Sequence, residues 1–189
     1  AVWVFPRSNG DHHLTSNWET GVSAFTEKLK LNDTEAPSSS STQIKGASST
    51  TVTFGTDPGI NGDTRTYVAY AFAEVSGFSK FGTYTGNGNA DGPVAICGFK
   101  PAFAMIKRVD STGDWPMKDT ARSPDNEAHE TLYANTTAAN FGMGLDILSN
   151  GFKPKTTDAT INASGGTYIF LAFAESPFGG DDVAPATAR

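Results

Sequence analysis

One stretch of this 189-residue chain is written twice. Thr66-Tyr67-Val68-Ala69-Tyr70-Ala71-Phe72-Ala73-Glu74 returns 101 residues later as Thr167-Tyr168-Ile169-Phe170-Leu171-Ala172-Phe173-Ala174-Glu175. At the same offset Thr56-Asp57 meets Thr157-Asp158, Ile60-Asn61 meets Ile161-Asn162, and ten of the nineteen columns from 56 to 74 are identical. Further upstream an offset of 103 pairs Leu29, Asn32 and Ala36 with Leu132, Asn135 and Ala139, and Gly10-Asp11 with Gly113-Asp114. The apolar run Val2-Trp3-Val4 falls near Ala104-Met105-Ile106. Periodic self-similarity of this kind means that one architecture is built twice. It divides the chain into a first copy over 1–78, a second over 79–178 and an extended tail over 179–189.

The copies are unequal. The second opens with Phe81-Gly82-Thr83-Tyr84-Thr85-Gly86-Asn87-Gly88 and then Gly98-Phe99-Lys100-Pro101-Ala102-Phe103, whereas the first begins where Phe103 falls. A sandwich short of its first strand bares an edge or a core face. The expected cover is a preceding segment, a neighbouring subunit or the second copy. Ala1 rather than Met opens the sequence, which points to a removed N-terminus or to one piece of something longer.

The repeated block reads as a strand. Val68, Tyr70 and Phe72 lie on one face and Tyr67, Ala69, Ala71 and Ala73 on the other; Ile169, Leu171 and Phe173 oppose Tyr168, Phe170, Ala172 and Ala174. Both faces are apolar, as in a central strand buried on both sides. Turns precede each block at Asn61-Gly62-Asp63 and at Asn162 to Gly166, where Asn and Gly adopt turn conformations at little cost. Further strands are expected at 2–5, 27–31, 51–54, 80–84, 103–109 and 130–134, and the Ser/Thr/Gly-rich stretch 37–50 reads as a long surface loop. No amphipathic helix beyond two turns is legible. The fold class expected is therefore all-β, a jelly-roll-like β-sandwich in two tandem repeats, the first without its opening strand.

A net charge of −6 disfavours nucleic acid as a partner, because phosphate binding is driven by clustered Lys and Arg. The apolar runs around Tyr67 and Tyr168 are far shorter than the roughly 20 residues of a membrane-spanning helix, so membrane insertion is not expected. Cys97 is the sole cysteine, which rules out an intrachain disulfide.

Candidate reactive groups each have a plainer reading. His12 and His13 face opposite ways on a strand, so with Asp11 they grip one metal only from a loop. His129 sits among Asp125, Glu127 and Glu130, which reads as a solvated acidic patch. Asp57, Asn61, Asp158 and Asn162 offer oxygens for calcium, but turn bonding accounts for them with fewer groups. Glu74 and Glu175 suggest a carboxylate pair, yet duplication alone explains their recurrence. No catalytic residue and no cofactor is expected. Trp18 and Trp115 lie in polar surroundings and are the candidates for stacking on a glycan or for subunit contact.

These residues resemble a known repeat. Tyr84-Thr85-Gly86-Asn87-Gly88, Gly98 to Phe103, Ile106-Lys107-Arg108, Asp110 to Trp115 and Asn162 to Tyr168 are similar to a pattern common in tail-fibre and other virion proteins of bacteriophages, especially marine ones. The likeness covers nearly all of the second copy and the C-terminal part of the first. It follows the segment Arg7 to Asn17 only loosely. It implies a place in the extracellular phage particle and carries no catalytic residues with it. The expected function is that of a virion structural protein, a tail-fibre or surface-appendage module for assembly and host adhesion. Its partners would be sister copies in a homo-oligomer, other virion proteins and a host cell-surface glycan. Capsid decoration, a head fibre and a glycan-reading module are the alternatives.

Overall fold

The computed structural model describes residues 1–7, 14–16 and 25–175. The first copy runs β1 (Val2–Pro6), β2 (Leu14–Ser16), β3 (Glu27–Lys30), β4 (Ser38–Ser39), β5 (Ile44–Ala47), β6 (Val52–Phe54), the one-turn helix α1 (Pro58–Asn61) and β7 (Tyr67–Ala71). Two strands without earlier counterparts follow, β8 (Ser79–Thr85) and β9 (Ala95–Ile96). The same order then recurs as β10 (Phe103–Arg108), β11 (Pro116–Asp119), β12 (Glu130–Tyr133), β13 (Phe141–Gly142), β14 (Leu145–Leu148), β15 (Gly151–Pro154), α2 (Ala159–Asn162) and β16 (Thr167–Phe173). The fold is all-β, with antiparallel pairing throughout.

Pairing repeats as well. One sheet has the order β4-β3-β2-β1-β7 and the other β13-β12-β11-β10-β16-β8. In each, a meander of short strands is closed by a last strand that returns beside the first, a Greek-key return. The return passes through a hairpin, β5–β6 in one case and β14–β15 in the other, and then a one-turn helix. Among the described residues, only the second hairpin gains a third strand, β9, and only the second sheet gains β8.

The turn chemistry is the same in both copies. Asp57 Oδ1 accepts from Gly59 N at 2.7 Å and Asp158 Oδ1 from Thr160 N at 2.8 Å, so each aspartate caps a helix N-terminus. The Tyr67 hydroxyl donates to Pro58 O at 2.6 Å and accepts from Gly62 N at 2.8 Å. The Tyr168 hydroxyl donates to Ala159 O and accepts from Ala163 N, both at 2.7 Å. Each repeated tyrosine thus staples the turn before it to its own strand.

Alternating side chains stack the sheets in layers. Val2 and Val4 on β1 pack with Ile44 of β5 and Ile60 of α1. From the opposite face of β1, Trp3 and Phe5 join Leu29, Leu31 and Phe72 against Phe81, Met105, Trp115, Ile169 and Leu171 of the six-stranded sheet. The far face of that sheet presents Tyr84, Ala104, Ile106, Tyr168, Phe170 and Ala172 to Phe152 and Leu145 of the three-stranded sheet. The six-stranded sheet is therefore covered on both faces. That is why β16 reads as a continuous apolar run.

Several sequence expectations change. β7 is not a central strand; it ends its sheet, and Tyr70 is 53% exposed. Its counterpart β16 has β8 and β10 on its two sides. The stretch 37–50 contains β4 and β5. The expected turns at Asn61 and Asn162 are the ends of one-turn helices. Strands β2, β9, β11, β14 and β15 carry no alternation long enough to be read locally. The expected tail over 179–189 lies outside the described residues.

The duplicated strands predict unequal mutational costs. Leu171, fully buried between the sheets, corresponds to Tyr70. Leu171→Ala should lower unfolding free energy by about 2–5 kcal/mol. Tyr70→Ala loses little beyond its ring contact with Phe5, and should cost no more than about 1.5 kcal/mol. Urea denaturation of the two variants checks the contrast.

Candidate functional site

The polar groups that invite a chemical reading are largely engaged in holding the chain together. Lys107 is buried and donates to Thr34 O at 3.0 Å and Gly113 O at 2.8 Å, with its ammonium 5.8 Å from the Trp115 ring centre. Lys118, equally buried, donates to Ala128 O and His129 O at 3.0 Å and also to Met143 O. Burial brings both ammonium pKa values down to about 8. Asp114 and Asp33 pull Lys107 partly back up, while Arg122 adds to the fall at Lys118. Each lysine threads a sheet face and ties loops to it through backbone carbonyls.

The Cys97 thiol is pushed up to about 12 by burial, which leaves it protonated and unreactive at neutral pH. Glu74 accepts from Lys80 Nζ at 2.9 Å and Phe81 N at 3.0 Å, closing the turn between β7 and β8; Glu175 is exposed. His129 forms a surface pair with Glu127 at 3.5 Å. Among the described residues no group of three or more His, Cys, Asp or Glu side chains is placed to hold a metal ion. His12, His13 and Trp18 lie outside the described residues.

Trp115 is not the exposed aromatic expected from its polar neighbours. It is 1% exposed, and its indole N–H lies 3.1 Å from Lys30 O and 3.2 Å from Asp33 O. The ring fills the space between the two large sheets, and the 30–34 loop of the first copy closes over it. Gly113 N donates to Thr34 O at 2.8 Å in the same contact. Such a ring has no face to offer a sugar or a second subunit. Local composition misled here because the polar residues around Trp115 belong to turns, while the ring itself points to the inter-sheet layer.

The surface that stands out is the uncovered side of the first copy. On β16, Tyr168, Phe170 and Ala172 are 0–2% exposed. Their counterparts on β7 are Tyr67, which is half-buried, and Ala69 and Ala71, which are exposed, as is Ala73 beyond them. Beside this edge runs a groove of about 1120 Å³, lined among others by Val2, Phe25, Val52, Ala71, Ala73 and Phe81. In the second copy the matching space is filled. Ala95, Cys97 and Phe99 are buried there in one cluster with Ala104, Ala172 and Ala174, and Cys97 N and Gly98 N donate to Asn150 O in the β14–β15 turn. Among the described residues, the second copy covers one face of the first but leaves this edge and groove open.

Residues 4–177 match the family described as Domain of unknown function (DUF7483). Neither a curated protein nor a solved structure matches the chain. No described helix is long and apolar enough to cross a membrane.

The buried lysines set a pH dependence. Their folded pKa values lie below the ordinary 10.5, so unfolding takes up protons between about pH 8 and 10.5 and stability rises with pH across that window. The gain is lost as pH falls through about 8. Above about pH 9 the buried Cys97 thiol, and above about pH 10 the buried Tyr84 phenol, both raised in the fold, work in the opposite direction and offset part of the rise. Chemical denaturation at pH 8, 9 and 10 should show a rising free energy. The Lys107→Met/Lys118→Met double variant should be less stable at each pH and lose the rise.

Proposed function

The chain belongs to the DUF7483 family, and we propose that it is a structural module of a bacteriophage particle. In this reading it is a tail-fibre or surface-appendage piece that assembles with sister copies and other virion proteins and helps to present a host-contacting surface. The observation that carries the proposal is where the phage-like pattern spends its residues. The Tyr84 hydroxyl donates to Ile161 O at 2.7 Å, and its ring stacks on Tyr168 at 4.9 Å. Asn87 N donates to Asn162 Oδ1 at 2.9 Å, Phe99 is buried, and Trp115 locks the sheets together. Every one of these pattern residues builds the scaffold, as suits a module used for its shape and surface. A fold by itself says little about function, so the weight rests on these residues.

The reading requires no turnover and no cofactor. It places recognition on surfaces and edges, where assembly proteins keep it.

Mass spectrometry of purified particles from a phage encoding this chain tests the proposal. The expected result is peptides from the chain at a stoichiometry of several copies per particle. Abundant protein in the infected lysate with none in banded particles would overturn it.

A further inference from the structure

We propose that the free edge of β7 and the groove beside it receive an extended polypeptide with the pattern of Ser79–Phe99, an opening segment of a further repeat, running antiparallel to β7. The inference stands on comparison of the two copies and does not depend on the virion reading.

The second copy displays the occupied form. β8 pairs with the outer edge of β16 with Tyr84 opposite Tyr168, Gly82 opposite Phe170 and Lys80 opposite Ala172. Past β8 the segment is held by Asn162. The side-chain oxygen accepts from Asn87 N at 2.9 Å, its backbone carbonyl accepts from Gly88 N at 3.0 Å, and its amide donates to Asn89 O at 2.7 Å. The segment then drops Ala95, Cys97 and Phe99 into the core beside Ala172 and Ala174.

The first copy keeps three of the receiving residues. Tyr67 stands for Tyr168, Ile60 for Ile161 and Asn61 for Asn162. Asn61 makes the one bond internal to its own copy, Nδ2 to Gly55 O at 2.8 Å, as Asn162 does to Thr156 O at 2.8 Å. Yet Asn61 is exposed where Asn162 is fully buried. The register with β1 pairs Trp3 with Tyr70 and Phe5 with Val68, and Phe72 exchanges backbone hydrogen bonds with Ala1. By alternation the N–H and C=O groups of Tyr67, Ala69 and Ala71 point away from β1.

A row of strand-spaced donors and acceptors beside a groove lined by apolar side chains and by Ser48, Ser49, Thr50 and Thr51 selects an extended peptide over a sugar or a lipid, because backbone pairing supplies affinity and pockets for alternate side chains supply specificity. One difference refines the occupant. A Cβ on Gly82 would come within 2.6 Å of the Phe170 ring, so glycine is required there. Its counterpart would face Ala69, which leaves room for a side chain.

A fluorescein-labelled peptide spanning Ser79–Phe99, titrated into the whole chain with hydrogen exchange followed over residues 66–73, tests the proposal. Saturable binding is expected, with at least tenfold slower exchange at Tyr67, Ala69 and Ala71. A Gly82→Val peptide should bind at least as well as the parent. The protein variant Ala69→Pro, which removes one outward N–H from an edge strand, should keep its thermal midpoint within a few degrees and lose at least tenfold in affinity. Absence of saturable binding would overturn the proposal, as would binding indifferent to Ala69→Pro, which would place the peptide elsewhere. Slow exchange of the outward Tyr67, Ala69 and Ala71 amides in the free chain would also overturn it. Slow exchange that is lost on dilution would assign the edge to a second copy, and slow exchange at every dilution would assign it to the chain's own residues.

Discussion

The architecture depends on one shared apolar layer. Leu29, Leu31, Trp3, Phe5 and Phe72 from one sheet meet Phe81, Met105, Trp115, Ile169 and Leu171 from the other. Burial here is driven by the apolar area that neither sheet could remove from water alone. The layer is also sealed by polar bonds at its rim. Lys107, Gly113 and Trp115 all bond to backbone oxygens of the 30–34 loop. These bonds spare the Trp115 indole N–H and the Lys107 ammonium the cost of lying buried without a partner. The loop therefore shapes itself to Trp115 and Lys107, and the two copies are joined as one folded body at this contact.

From that layer outward the copies diverge for a simple geometric reason. Each sheet has two faces and two edges to satisfy. The six-stranded sheet finds a neighbour for both faces and, through β8, a neighbour for the exposed side of β16. The five-stranded sheet has part of its inner face covered by its twin and part of its outer face by the β5–β6 hairpin and α1. The same Thr-Tyr-x-x-x-Ala-Phe-Ala-Glu block consequently becomes a sealed central strand once and an open edge once. Long apolar edges invite pairing with other chains, and proteins usually blunt or cover them. Here Ile60, Asn61 and Tyr67 stand where Ile161, Asn162 and Tyr168 hold the covering strand in the second copy.

The polar side chains follow the same logic. Asp57 and Asp158 cap, Tyr67 and Tyr168 staple, Asn162 clasps and Lys118 gathers three carbonyls. Each role satisfies backbone groups that tight turns and short strands leave without ladder partners. A sandwich of short strands has many such groups. Residues that resemble a calcium or carboxylate site in sequence are largely absorbed by this need.

The duplication within the sequence, the strand character of the repeated block and the all-β class were legible in the residues themselves, because each is a local or periodic property. Period-two alternation marks a strand wherever it falls, and a Tyr that staples a turn five residues back recurs at the same spacing. Which copy of the block is sealed, where the Trp115 ring points and how β9 completes a hairpin were decided only by the tertiary structure. Those properties depend on which surfaces of distant segments meet. A polar neighbour in sequence says nothing about a sheet arriving from across the chain, and an apolar strand has the same pattern whether or not another strand lies beside it.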